Sequence, residues 1–76
     1  MTDNMDWKPI DIGRNVYEKL KTYPNTIKKN NIKKINVKVL YHKGECTDCI
    51  CIEWITFNDY VMQLFFEKSD IMEYLS

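Results

Sequence analysis

Apolar side chains along this chain follow two rhythms. From residue 34 to residue 41, Ile35, Val37, Val39 and Tyr41 alternate with Lys34, Asn36, Lys38 and Leu40, the period of two that places one side of a strand against a core. Earlier, Ile12, Val16, Tyr17 and Leu20 recur at helical spacing, with Arg14, Asn15, Glu18, Lys19 and Lys21 on the other side. This predicts an amphipathic helix with Asp11 as its N-cap and Pro24 beyond its end. Asn25 to Asn31 is polar apart from Ile27, and reads as a loop held by one apolar anchor.

Lys43-Gly44 predicts a two-residue hairpin turn, because glycine tolerates the positive φ that primed turns demand. That turn fixes a register in which residues whose numbers sum to 87 face each other. Val37 is then opposite Ile50, Ile35 opposite Ile52 and Tyr41 opposite Cys46, while Lys34 and Glu53 pair on the other side.

After Phe57-Asn58-Asp59, residues 60–67 admit two readings. As a third strand they pair Trp54 with Met62, Ile52 with Leu64 and Ile50 with Phe66, which completes one continuous apolar face. As part of a long helix running to Leu75, they stack Val61, Leu64, Phe65, Ile71, Met72 and Leu75 into a stripe interrupted by Lys68. The continuous face favours the strand, with Ser69-Asp70 then opening a short terminal helix whose Ile71, Met72 and Leu75 face inward. The expected fold is a small α+β domain over residues 1–76, a three-stranded antiparallel meander with an N-terminal and a short C-terminal helix (α-β-β-β-α). The alternative is α-β-β-α with a long C-terminal helix. Residues 1–10 read as an N-terminal arm, extended at Lys8 before Pro9 and anchored by Trp7.

Composition narrows the class. With 45% hydrophobic residues and two glycines in 76 residues, the chain carries enough apolar mass for a packed core. It has no apolar run of membrane-spanning length and no signal-peptide order at its start, which predicts a cytoplasmic protein with no membrane partner. Three cysteines within six positions, Cys46, Cys49 and Cys51, do not form a disulfide framework. Net charge is zero, but residues 1–43 hold ten Lys and Arg against four acids, and residues 44–76 hold Lys68 against seven acids. The strand pairing neutralises part of that asymmetry internally.

Candidate chemistry is sparse. His42, Cys46, Cys49 and Cys51 have the residue types of a zinc site, yet the hairpin register sends Cys46 to the core and Cys49 and Cys51 to the opposite face, so no metal is expected. His42 has no nucleophile and orienting partner around it, and no Gly-rich phosphate loop is present. The expectation is a non-enzyme without a cofactor. Lys28, Lys29, Lys33, Lys34 and Lys38 could follow a phosphate backbone, although the stretch lacks the arginines and aromatics that read or stack on bases. The element order is similar to that of double-stranded-RNA-binding domains. The Gly-Pro hairpin loop of that family is absent, and Asp70 and Glu73 stand where its last helix begins with lysines, so nucleic acid is not the expected partner.

A further feature is the sheet's second side, where Cys49, Cys51, Ile55, Phe57, Val61 and Phe65 interrupt what should be a polar surface. Two short helices cannot cover both sides, so either the arm with Trp7 folds over this one or it is an interface, to a protein partner or to a second copy. The expected partner-binding residues are Ile55, Phe57, Val61 and Phe65, with Glu45, Asp48, Glu53 and Asp59 as acids that could mimic nucleic-acid phosphates. Lys, Asn and Ile make up 26 of the 76 residues, a bias associated with AT-rich genomes. Together these features lead to an expected function: a phage- or mobile-element-encoded inhibitor of a host defence system, similar in kind to an anti-CRISPR protein, that masks the surface of a nuclease or other host protein complex. The rival expectations are a small nucleic-acid-binding or regulatory protein using the lysine stretch, and a zinc-stabilised module.

Overall fold

A computed structural model describes residues 4–75, apart from the side chain of Leu75. Within it the chain forms β1 (Met5–Pro9), α1 (Gly13–Lys21), a 3-10 turn (Lys29–Asn31), β2 (Ile32–His42), β3 (Glu45–Thr56), β4 (Val61–Glu67) and α2 (Lys68–Leu75). The four strands make one antiparallel sheet in the order β1-β2-β3-β4. The fold is the expected α+β type with two helices, but the sheet gains a strand. Part of the expected arm, Met5 to Pro9, lies along β2 from His42 to Lys38. Residues 1–3 of that arm and the inward side chain expected of Leu75 lie outside the described residues.

Pro9 is compatible with this strand because of where its missing N–H would point. Ile10 N–H donates to Val37 O at 2.8 Å and Lys43 N–H to Asn4 O at 2.9 Å. Even-numbered residues of β1 therefore face β2, and Met5, Trp7 and Pro9 turn their backbone groups to the open edge, the place where a strand tolerates proline.

The turn between β2 and β3 is the expected one, with Lys43 at φ 52° and Gly44 at φ 81°, the left-handed pair of a primed hairpin turn. The expected register holds only beside it, at Tyr41–Cys46 and His42–Glu45. Two extra residues then bulge from β3, and from Val39–Ile50 to Lys34–Ile55 the sum of paired positions is 89, so Val37 faces Ile52 and Ile35 faces Trp54, before a second shift at Lys33 pairs Ile32 with Thr56. Thr47 closes the bulge: its hydroxyl donates to Leu40 O at 2.7 Å and accepts from Cys49 N–H at 3.2 Å. A slip of two residues leaves each side chain on its expected side of the ribbon, because the strand period is also two. Its consequence is local: Glu53 lies opposite Asn36, not Lys34.

Residues 61–67 are a strand, so the long C-terminal helix does not form, and β4 adopts the expected pairs Trp54–Met62, Ile52–Leu64 and Ile50–Phe66. Both helices pack on one face of the sheet, where Leu20, Ile35, Val37, Val39, Ile50, Ile52, Trp54 and Ile71 are buried together. Trp54 is the centre of this layer. Its indole N–H donates to Leu20 O at 3.0 Å, and its ring stacks on Tyr23, which meets Phe66 and Tyr74 edge-on. Two helix details differ from expectation. The N-cap is Ile12 with no side-chain cap, not Asp11. In α2, Ile71 is buried but Met72 is exposed, since an eight-residue helix laid on a sheet inserts only a narrow stripe.

Candidate protein-binding face

The other face of the sheet carries no helix. The register assembles it from Met5 and Trp7 on β1, Lys34, Asn36, Lys38 and Leu40 on β2, Cys49, Cys51, Glu53 and Ile55 on β3, and Val61, Gln63, Phe65 and Glu67 on β4. Its middle is polar and well paired. The Glu53 carboxylate accepts from the Asn36 amide on one side and the Gln63 amide on the other, both at 2.9 Å, which links three strands. These two amides, followed by the nearby Lys38 and Lys34 ammonium groups, hold the Glu53 carboxyl below its ordinary range.

On either side of that row the face is apolar. Phe65 is 61% exposed, Val61 48% and Trp7 39%. The rings of Trp7 and Phe65, from the two outermost strands, approach to 6.0 Å between centroids, so the sheet curls and side chains from both edges meet across the inner strands. Between Lys38 and Phe65 in the register lies Cys51, 5% exposed. Burial, followed by the charge of Glu53, pushes its thiol pKa up, which leaves it a neutral packing group. The arm therefore covers this face only in part.

Beside the bulge an open groove of about 480 Å³ is lined by Leu40, Thr47, Asp48, Cys49, Phe65, Phe66 and Glu67. Three of these, Thr47, Asp48 and Cys49, are the bulged stretch of β3 that lies opposite Leu40. Trp7 lies on this face, as expected of an arm that folds over it, whereas Leu40 belongs to the face and did not stand out in the sequence. The signals were present: Met5 and Trp7 alternate with Asp6 and Lys8, and Leu40 is the apolar residue out of phase in an otherwise alternating strand.

The four expected apolar contact residues divide. Val61 and Phe65 share the bare face with half-buried Ile55, while Phe57 is exposed in the loop between β3 and β4 beside Tyr60. The four acids are not gathered. Glu45 stands at the hairpin tip, Asp48 in the bulge, Glu53 in mid-face and Asp59 in the loop at the far end of β3. The five lysines are divided as well, with Lys28, Lys29 and Lys33 exposed around the 3-10 turn and Lys34 and Lys38 flanking Glu53 on the sheet.

The residues of the rival zinc site also disperse. His42 and Cys46 are exposed beside the tip turn, Cys49 lies at the bulge and Cys51 is buried farther along β3. Cys46 is thus at the solvent-exposed end of the hairpin and not in the core. Among the described residues, no group of three or more His, Cys, Asp or Glu is placed to hold a metal ion, and no helix is long and apolar enough to cross a membrane. Comparison with known proteins adds no relative: the chain matches no family model, no curated protein and no solved structure.

Proposed function

We propose that this protein is a non-catalytic module that binds a protein partner through the helix-free face of its sheet. The observation that supports the reading is the side chain of Phe65, exposed in the middle of a strand with Trp7 beside it and Val61 beyond Gln63, at a position that a solvated antiparallel sheet normally gives to polar residues. The groove next to Phe65 gives that face relief into which a partner's apolar side chain fits. Exposed aromatics flanking a paired polar row have the composition of an interface core beside a rim.

Within that class, small size and the Lys, Asn and Ile bias support a phage- or mobile-element-encoded inhibitor that acts in the host cytoplasm by covering a surface of a defence effector. The dispersed acids favour contact through apolar shape over imitation of a phosphate backbone. The test is affinity capture from the native host, followed by titration of the purified partner against the wild-type chain, Trp7→Ser and Phe57→Ser. Trp7→Ser is expected to weaken binding by about tenfold or more, in the range of an aromatic hot spot, and Phe57→Ser by much less. Equal affinity of all three overturns the assignment of the face. Tight binding to a generic oligonucleotide that falls steeply with added salt transfers the function to the lysines.

A further inference from the structure

The two open edges of the sheet are unlike. Along β1 the outward backbone groups belong to Met5, Trp7 and Pro9, and the proline, with Asp6 and Lys8 beside it, blocks the addition of another strand. The outer edge of β4 has none of these devices. Thr56 N–H donates to Tyr60 O at 2.9 Å, which makes Thr56 and Tyr60 a mutually facing pair and, by alternation, Met62, Leu64 and Phe66 the residues bonded to β3. Val61, Gln63, Phe65 and Glu67 therefore present their N–H and C=O groups to solvent. No proline or lysine interrupts this strand from Val61 to Glu67, and its β3 register runs without a bulge.

The sequence of this edge is complementary to itself. Around Gln63 it reads Tyr60-Val61-Met62-Gln63-Leu64-Phe65-Phe66, with an apolar residue at equal distances on both sides. A two-fold axis at Gln63 sets Val61 opposite the second copy's Phe65, Met62 opposite its Leu64 and Tyr60 opposite its Phe66. The outward-facing residues 61, 63 and 65 are the ones that meet, so about six backbone hydrogen bonds close without moving β4 off β3. The one charge on the strand, Glu67, falls at the outer end of each copy, away from the axis.

We infer that two copies of this chain join through their β4 edges, antiparallel and in register about Gln63, into one continuous eight-stranded sheet. The edge specifies extended backbone as its occupant. The mirrored side chains specify this chain, since a two-fold contact requires the same patch on both partners. The inference does not depend on the partner proposed for the bare face. A single strand pair is at the small end of stable interfaces, so the dimer forms and dissociates with concentration.

Sedimentation velocity of the full chain in reducing buffer, from low to high micromolar concentration, is expected to show a reversible monomer–dimer equilibrium. Val61→Glu and Phe65→Lys are each expected to weaken it by about tenfold or more, because each sets a charge against an apolar partner. The double variant is expected to recover most of that loss, because positions 61 and 65 face each other across the axis and then pair as opposite charges. Gln63→Pro removes an outward N–H, together with the exposed amide that donates to Glu53, while leaving the backbone bonds to β3 in place, and is expected to give a folded monomer by circular dichroism. A wild-type chain that stays monomeric throughout, growth beyond the dimer, or a dimer indifferent to all these changes overturns the inference. A double variant as weak as the singles overturns the register.

Discussion

The two faces of this sheet are built from the same four strands and solve opposite problems. On the helix-covered face the inward positions from Ile35 to Val39 on β2 and from Ile50 to Trp54 on β3 are aliphatic apart from Trp54 itself, and the layer is closed by Leu20, Tyr23 and Ile71. On the bare face the same strands supply Asn36, Glu53 and Gln63 at the centre and leave Val61 and Phe65 in water. One face is filled to hold the fold together. The other has surplus apolar surface that the fold does not use. Core packing and exposed apolar surface are thus separate here, residue by residue and almost strand position by strand position.

A pair of truncations on neighbouring strands separates the two faces by the widest margin. Trp54→Ala is expected to cost about 3–5 kcal/mol, enough to unfold most of a domain this small, whereas Phe65→Ala at its exposed position is expected to change stability by under about 1 kcal/mol. Urea denaturation of both decides it, and equal losses would show that the bare face belongs to the core. Thiol labelling gives a smaller contrast. Exposed Cys46 is expected to react at least about tenfold faster than Cys51, whose burial raises its pKa and removes it from the reagent. Mass spectrometry after brief alkylation reads the order, and similar rates would mean that Trp7 and Phe65 do not cover the inner strands.

The smallest effect concerns Glu53. Its folded pKa is depressed, so the stability it contributes is present above the ordinary glutamate range and is lost as pH falls through the folded value. Glu53→Gln keeps the size of the side chain but removes the charge, so it is expected to lower stability slightly at neutral pH and to flatten its fall below that range, the two chains converging in acid. Denaturation midpoints on both sides of the ordinary glutamate range test this, and an unchanged acid limb would mean that the two amides contribute nothing to folding.

Much of the covered face was legible in the sequence because strand alternation reports sides and is insensitive to even slips. The true offset at Thr47 differs by two residues from the one implied by Lys43-Gly44, and Ile35, Val37, Ile50 and Ile52 still face inward. The bulge itself was not legible, since its signature is one threonine hydroxyl shared between Leu40 and Cys49. The strand at Met5 to Pro9 was missed because it is exposed throughout and ends in a proline, both of which argue locally for an arm. Only its pairing with β2 makes it a strand. The candidate face was read from Val61 and Phe65 with the Trp7 arm as its alternative cover; what no local pattern encodes is the curl of the sheet that brings Trp7 against Phe65.

The placement of the two indoles has a practical corollary. Trp54 is wholly dry and stacked on Tyr23, whereas Trp7 sits part-wet beside Phe65 on the far side of the sheet. The molecule thus contains two native indole fluorophores with separate environments, a blue-emitting one that reports melting and a red-emitting one that reports the solvation of the bare face. Single-tryptophan versions would let each event be watched optically without attaching a dye.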